Sequence, residues 1–256
     1  MRILVCNDDG INAHGLIALT AELAKIGEVT VVAPDVERSA ASNSITLSHP
    51  LRVKECTIPV SGCKGFAVSG TPADCAKIAI ANLLTEKPDL LISGINRGPN
   101  MCVDVFYSGT VAAAFEGASK GILSMAVSLD SFKGDADYSH AAKWAGICAK
   151  TLSNANLPAN LVYNLNIPDL PFDQIKGVKV TRTGKVDYQE LYDQRVDPYG
   201  RTYYWIQGNP IIVDHSEDCD IVAVRAGFVS LTPLKTDLSC PDAARNLVSA
   251  NLFGQA

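Results

Sequence analysis

The chain has no apolar stretch approaching the roughly 18 uninterrupted residues that a bilayer crossing needs, so no membrane partner is expected. It has no dense run of basic residues either. Its 22 Lys+Arg against 27 Asp+Glu leave a formal charge of -5, which argues against a surface that wraps a nucleic-acid duplex, although a small phosphorylated ligand needs only a local site. The eight cysteines contain no C-x-x-C pair, and several lie in apolar segments such as ILVC and AGICAK, as buried free thiols do. The four histidines lack H-x-x-x-H or H-E-x-x-H spacing, so any metal is expected to be held by oxygen rather than by a histidine-rich zinc site. No repeat of about 20 to 50 residues and no low-complexity tract occurs. The start, MRILVCNDDG, lacks the apolar core and cleavage site of a signal peptide, and the cytoplasm is the expected compartment.

What is present is a globular composition, 256 residues with 47% apolar and 19% charged, enough to bury a large core. The first half alternates strand and helix. Arg2–Cys6 is a short apolar run ending in Asn-Asp-Asp-Gly, His14–Lys25 has helical periodicity, and Glu28–Ala33 is a β-branched strand stopped by Pro34. After the polar segment ERSAASNSITLSHP come short strands near Leu51–Cys56 and Gly65–Val68, then a helix opened by Thr71-Pro72 and running to about Leu84. Asp89–Ser93 is a fully apolar strand, Thr110–Lys120 a helix, and Gly121–Leu129 contains another strand. Strands apolar on both faces predict a Rossmann-like α/β fold, a mostly parallel sheet with helices on both faces. Tyr138–Leu152 reads as a helix and Leu161–Ile167 as a strand. Lys179 to Leu234 reads as hairpins projecting from the sheet, giving one domain over 1–256, with a core over 1–178 and a hairpin-rich extension over 179–256.

Asp8 and Asp9 end the first strand, where ligands of open α/β sheets bind. Two adjacent carboxylates repel unless a cation or hydrogen-bond donors offset them, and a hard divalent ion does so directly; a solvated Asp-Asp-Gly turn is the plain alternative. Ser93-Gly94-Ile95-Asn96-Arg97-Gly98-Pro99-Asn100 follows a second buried strand and opens on the same sheet edge, so Asn96 and Asn100 can reach the same crevice; alternatively it is only a turn. Tyr107-Ser108-Gly109-Thr110 leads into a helix whose free N–H groups suit an anion, unless Ser or Thr simply caps it. Ser69-Gly70-Thr71-Pro72-Ala73-Asp74 repeats that device, and Arg38–Ser44 is a hydroxyl-rich loop after the second strand.

NDDG, APDVERSAASNSIT, SGTPADC, PDLLISGINRGPN, YSGTVAAAFEG, NLNIP, DPYGRTYYWIQG and VSLTPL occur in this order over nearly the whole chain. This ordered set resembles the SurE (survival protein E) nucleotidases. The resemblance implies a metal-dependent phosphatase of nucleoside 5'-monophosphates, with 3'-monophosphates and short polyphosphate as further substrates. By motif, it implies that Asp8, Asp9, Ser39 and Asn96 are ligands of one divalent ion per subunit, Mg²⁺ or Mn²⁺, and that Asn100, Ser108, Gly109 and Thr110 contact phosphate. Asp8, Asp9 and Asn96 would carry the catalysis. It also implies a homodimer with exchanged C-terminal segments, often paired into a homotetramer; the exchanged part would begin after about Gly208, and the aromatics Tyr188, Tyr192, Tyr199, Tyr203, Tyr204 and Trp205 suit a subunit interface. The chain departs from the family pattern at Ala40, where Gly is usual, at Met101-Cys102-Val103 in place of a Leu-Gly-Asp-like run, and at Asp218-Cys219-Asp220.

A phospho-acceptor signalling domain also places acids beside Mg²⁺ after a first parallel strand, but it needs an acceptor Asp after a later strand, where this chain offers Ser93 and Asn96. A dinucleotide-binding oxidoreductase is weaker, because the first turn is N-D-D-G-I-N-A-H-G and not G-x-G-x-x-G.

Overall fold

A computed structural model of the chain describes residues 1–188, 191–208 and 210–250. In chain order the main elements are β1 (Arg2–Cys6), α1 (His14–Leu23), β2 (Glu28–Pro34), β3 (Val53–Cys56), β4 (Lys64–Val68), α2 (Pro72–Ile78), β5 (Leu90–Arg97), α3 (Gly109–Ser119), β6 (Leu123–Asp130), α4 (Ser139–Ser153) and β7 (Leu161–Pro168). They are followed by β8 (Val178–Val180), β9 (Val186–Tyr188), β10 (Leu191–Val196), β11 (Thr202–Gln207), β12 (Pro210–Ile212), α5 (Asp220–Arg225), β13 (Val229–Lys235) and α6 (Pro241–Ser249). A nine-stranded sheet runs β3-β4-β2-β1-β5-β6-β7-β13-β8. From β4 to β7 every neighbour is parallel; β3 and β13 pair antiparallel with β4 and β7.

The strands are apolar on both faces because each face carries helices. In β1, Ile3 and Val5 join the cluster under α1 and α4, while Leu4 and Cys6 point to the opposite cluster under α2 and α3. α3 is rich in Gly and Ala (GTVAAAFEGAS), which lets it lie close on the sheet. α2 begins with a full capping box, Thr71 accepting from the Asp74 amide and Asp74 accepting from the Thr71 amide, and its last turn widens over Ala79–Leu83. The helix expected to reach Leu84 is therefore two conformations end to end. All eight cysteines are unpaired, and five are buried. No helix among the described residues is long and apolar enough to cross a membrane.

The C-terminal half corrects the expectation that 179–234 projects from the sheet. β13 (VSLTPLK) pairs with β7 from Ser230↔Asn166 to Lys235↔Leu161 and with β8 at Val229–Leu231, and Val229, Ser230 and Thr232 are buried. The pairing with β8 ends at Leu231, so Pro233 lies where that side of β13 is not paired with β8. Among the described residues, only β10–β11 and β9–β12 form separate two-stranded pairs. β13 is the last strand among the described residues. α6, beyond it, has no buried residue. The tail of the extension, 251–256, lies outside the described residues, as do Gln189, Glu190 and Asn209.

Candidate metal and phosphate site

The strand order reverses at β1, which has β2 on one side and β5 on the other, and ligands of such sheets bind at this switch point beyond the strand carboxyl ends. Asp8 and Asp9 follow β1, and Asn96 lies near the end of β5. The turn is built by the buried Asn7, whose side chain donates to the Gly10 carbonyl (2.9 Å) and accepts from the Gly10 amide (3.2 Å). The loop after β2 closes over it through a bond from the Arg38 amide to the Asp8 carbonyl (2.7 Å).

Asn96 is aimed by a bulge. The β5–β6 register passes from Ser93↔Ala126 to Asn96↔Ser128, so three steps on β5 match two on β6. Gly94 makes the bulge possible, since its φ is +143° and a Cβ there would lie 2.3 Å from the Val127 carbonyl oxygen. The Asn96 amide nitrogen donates to the Gly98 carbonyl (2.8 Å), which leaves its oxygen for a ligand.

Asp8 is 4% exposed and Asp9 half-buried, and neither has an ion-pair partner among the described residues. Burial pushes the Asp8 carboxyl up to about 6, and the neighbouring Asp9 charge adds to the rise; the Thr110 hydroxyl and amide oppose it. Burial also raises Asp9, as does Glu37, against the Arg97 amide bonded at 3.3 Å. The Arg97 charge lowers Asp9 only as the smallest of these causes, and an acidic pair with no direct ion-pair partner fits a hard divalent cation with oxygen donors. No group of three His, Cys, Asp or Glu side chains converges among the described residues, so further ligands would be amide or hydroxyl oxygens and water.

The start of α3 lies against this pair. A Cβ on Gly109 would come within 2.9 Å of Asp8 Cβ and 3.0 Å of Asp8 Oδ2, so only glycine lets the helix end approach the carboxylate so closely. Ser108 is the N-cap, its hydroxyl accepting from the Val111 amide (3.1 Å), and the Thr110 hydroxyl donates to Asp8 Oδ1. Of the expected phosphate contacts, Ser108 also caps the helix and Thr110 also holds Asp8. Asn100 is fixed by residues that sequence reasoning missed. Its amide donates to Asn166 Oδ1 (2.8 Å), its carbonyl accepts from Asn164 and Asn166, and its side chain donates to Ser128 Oγ (2.8 Å). Asn164 and Asn166 are two apart on β7, hence on one face, and two amides on one face of an otherwise apolar strand were the available signal. Ser39 is exposed and its hydroxyl donates to Glu37 (2.6 Å); the structure records no bond from it to the acidic pair.

Two of the positions where this chain departs from the family pattern carry left-handed backbone, Ala40 with φ 55° and Cys102 with φ 53°. Cys102 is held there by Asp220, a buried residue of α5 that accepts from its amide (2.9 Å) and from its thiol (3.4 Å).

The model of a family described as "Survival protein SurE" matches residues 3–190. The chain is 48% identical over 239 residues to the 5'-nucleotidase SurE of Heliobacterium modesticaldum, covering 93% of this chain and 88% of that protein. It is likewise 48% identical to the 5'-nucleotidase SurE of Moorella thermoacetica, covering 93% and 92%. The crystal structure of the SurE protein from Aquifex aeolicus superposes with a TM-score of 0.86 at 37% identity, over 98% of this chain and 100% of that one.

Proposed function

The chain belongs to the survival protein SurE family, and on that premise we propose that it is a divalent-metal-dependent nucleotidase releasing phosphate from nucleoside 5'-monophosphates. The observation that carries this reading is the pair of buried Asp8 and half-buried Asp9 at the switch point, neither in a direct ion pair among the described residues, with the amino end of α3 packed on Asp8. Asp8, Asp9, Asn96 and Ser39 would hold one Mg²⁺ or Mn²⁺ per subunit. When bound, such an ion supplies Lewis acidity to a phosphoryl oxygen and makes water a better nucleophile near neutral pH.

The protein's own groups do the rest. Thr110 would hold Asp8 for the ion through its hydroxyl, and Asn96, set beyond the bulge at Gly94 with its side-chain nitrogen tied to Gly98, would offer its oxygen. The first amides of α3 and the Asn100 side chain offer donors where charge builds on the equatorial phosphoryl oxygens. With Ser108 as the cap, its role toward phosphate is through the helix start it stabilises.

We extend the reading to 3'-monophosphates and short polyphosphate as further substrates, to one domain over 1–256 with the site in 1–178, to the cytoplasm, and to a homodimer or homotetramer. Trp205, Tyr192 and Tyr204 on the β10–β11 pair are each more than half exposed, and with α6 they are the surface that assembly would cover. The test is incubation of the purified protein with AMP and with acetyl phosphate. Phosphate release from AMP that requires Mg²⁺ or Mn²⁺ supports the reading; a stable acyl phosphate on the protein without AMP turnover refutes it.

A further inference from the structure

Beside Asn100 lies a cavity of about 380 Å³, lined among others by Pro99, Met101, Asp130, Phe132, Tyr188 and Arg225. Its volume is at the lower end of the range for small-molecule sites. It adjoins the phosphate-binding loop through Pro99 and Met101, the residues on either side of Asn100. Tyr188 is fixed on its far wall by donating to both Asp104 oxygens (2.9 and 2.7 Å).

Phe132 is the unusual member. It is 79% exposed, although it follows directly on β6 and is a large apolar ring. It is also held in place from below. The Gly98 and Ser131 amides both bond to the Leu129 carbonyl (3.0 and 2.7 Å), which ties the loop after β6 to the loop after β5. A Cβ on Gly98, whose φ is +101°, would lie 2.6 Å from one ring carbon and 3.1 and 3.2 Å from two others. The ring therefore rests on the backbone between Asn96 and Asn100, and its remaining surface faces solvent and the cavity. An aromatic ring presented in this way, against the loop that carries Asn96 and Asn100, suits a planar heterocycle.

We propose that Phe132 is the stacking platform for the nucleobase of the substrate, with the cavity between Pro99, Tyr188 and Arg225 receiving the nucleoside. This deepens the nucleotidase reading and rests on it. The ring would act on substrate affinity and leave the phosphoryl chemistry at Asp8 and Asp9 untouched. Asp130 and Arg225 supply an acceptor and donors for the polar edge of a base or for ribose hydroxyls.

The experiment compares AMP with ribose 5-phosphate, which carries the same phosphate ester and no base, on wild type, Phe132→Ala and Phe132→Tyr. Because Phe132 is mostly exposed, the variants should melt like wild type. For Phe132→Ala, the KM for AMP should rise roughly tenfold, within the range for loss of one base–aromatic stack. Its kcat on AMP and both parameters on ribose 5-phosphate should stay within twofold of wild type, and Phe132→Tyr should restore the AMP value. An unchanged KM for AMP, or an equal loss on both esters, overturns the stacking role while leaving the nucleotidase reading intact. A wild-type protein that hydrolyses neither ester overturns both.

Discussion

Replacing Asp8 by Asn should make the metal-free protein more stable while removing its activity. The carboxyl sits 4% exposed beside a second acid, and its folded value is raised from 3.8 to about 6. A raised carboxyl means that the folded state binds the proton more tightly than the unfolded chain, so stability falls as pH climbs from about 4 to about 6 and the full penalty stands above that window. At about 1.4 kcal/mol per tenfold change in proton affinity, the ionised group costs the fold about 3 kcal/mol. Asn keeps the shape and an oxygen to accept from Thr110, and it carries no charge. In EDTA at pH 8 the Asp8→Asn protein should therefore melt roughly 6–12 °C above wild type, from about 2–4 °C per kcal/mol for a chain of this size. At pH 4 the difference should vanish. Adding Mn²⁺ at pH 8 should raise the wild-type melting temperature by mass action and leave the variant where it was. The assay is circular dichroism melting at the two pH values, with and without metal. A variant less stable than wild type at pH 8 in EDTA, or a gain that does not depend on pH, would refute this account of the site as charge held in reserve for a cation.

Three further outcomes follow from the geometry. Asp9→Asn should lose at least about a hundredfold in AMP turnover at limiting Mg²⁺ with an unchanged circular dichroism spectrum, because a divalent ion depends on carboxylate charge for affinity; near wild-type turnover would remove Asp9 from the ligand set. Ala40→Gly should stabilise by about 1 kcal/mol, since φ 55° is strained for a residue with a Cβ; a urea denaturation midpoint that falls would contradict this. Thr110→Val takes away the donor to Asp8, so it should weaken Mn²⁺ binding and AMP hydrolysis together and not inorganic phosphate binding alone; loss of phosphate affinity with intact metal affinity would return Thr110 to the role of a direct phosphate contact.

The layered parallel sheet was legible because its strands are apolar on both faces and its helices carry local start signals, such as Thr71-Pro72 before α2. The same local reading failed at β13, where an alternating run was taken for a hairpin projecting from the sheet; its partners, β7 and β8, are fixed by the sheet and not by the segment. α5 and α6 are short and gave no long periodic run. At the site, the positions of Asp8, Asp9 and Asn96 could be read from strand ends. What each side chain binds could not. That the Thr110 hydroxyl turns to Asp8, 102 positions away, and that Asn164 and Asn166 fix Asn100 are products of packing between elements distant in sequence. The departures at Ala40 and Cys102 were visible in the sequence, and the structure gives their physical content as left-handed residues, one of them secured by Asp220.

The central claim, that the acidic pair after β1 holds a single catalytic cation, is most directly tested by titrating Mn²⁺ into EDTA-stripped protein and measuring bound metal by isothermal calorimetry beside AMP hydrolysis. One Mn²⁺ per chain in wild type, none at the same concentrations in Asp8→Asn or Asp9→Asn, and activity that rises in step with occupancy is the predicted result. Hydrolysis of AMP at full rate by the stripped protein, or one tightly bound Mn²⁺ in both variants, would contradict it.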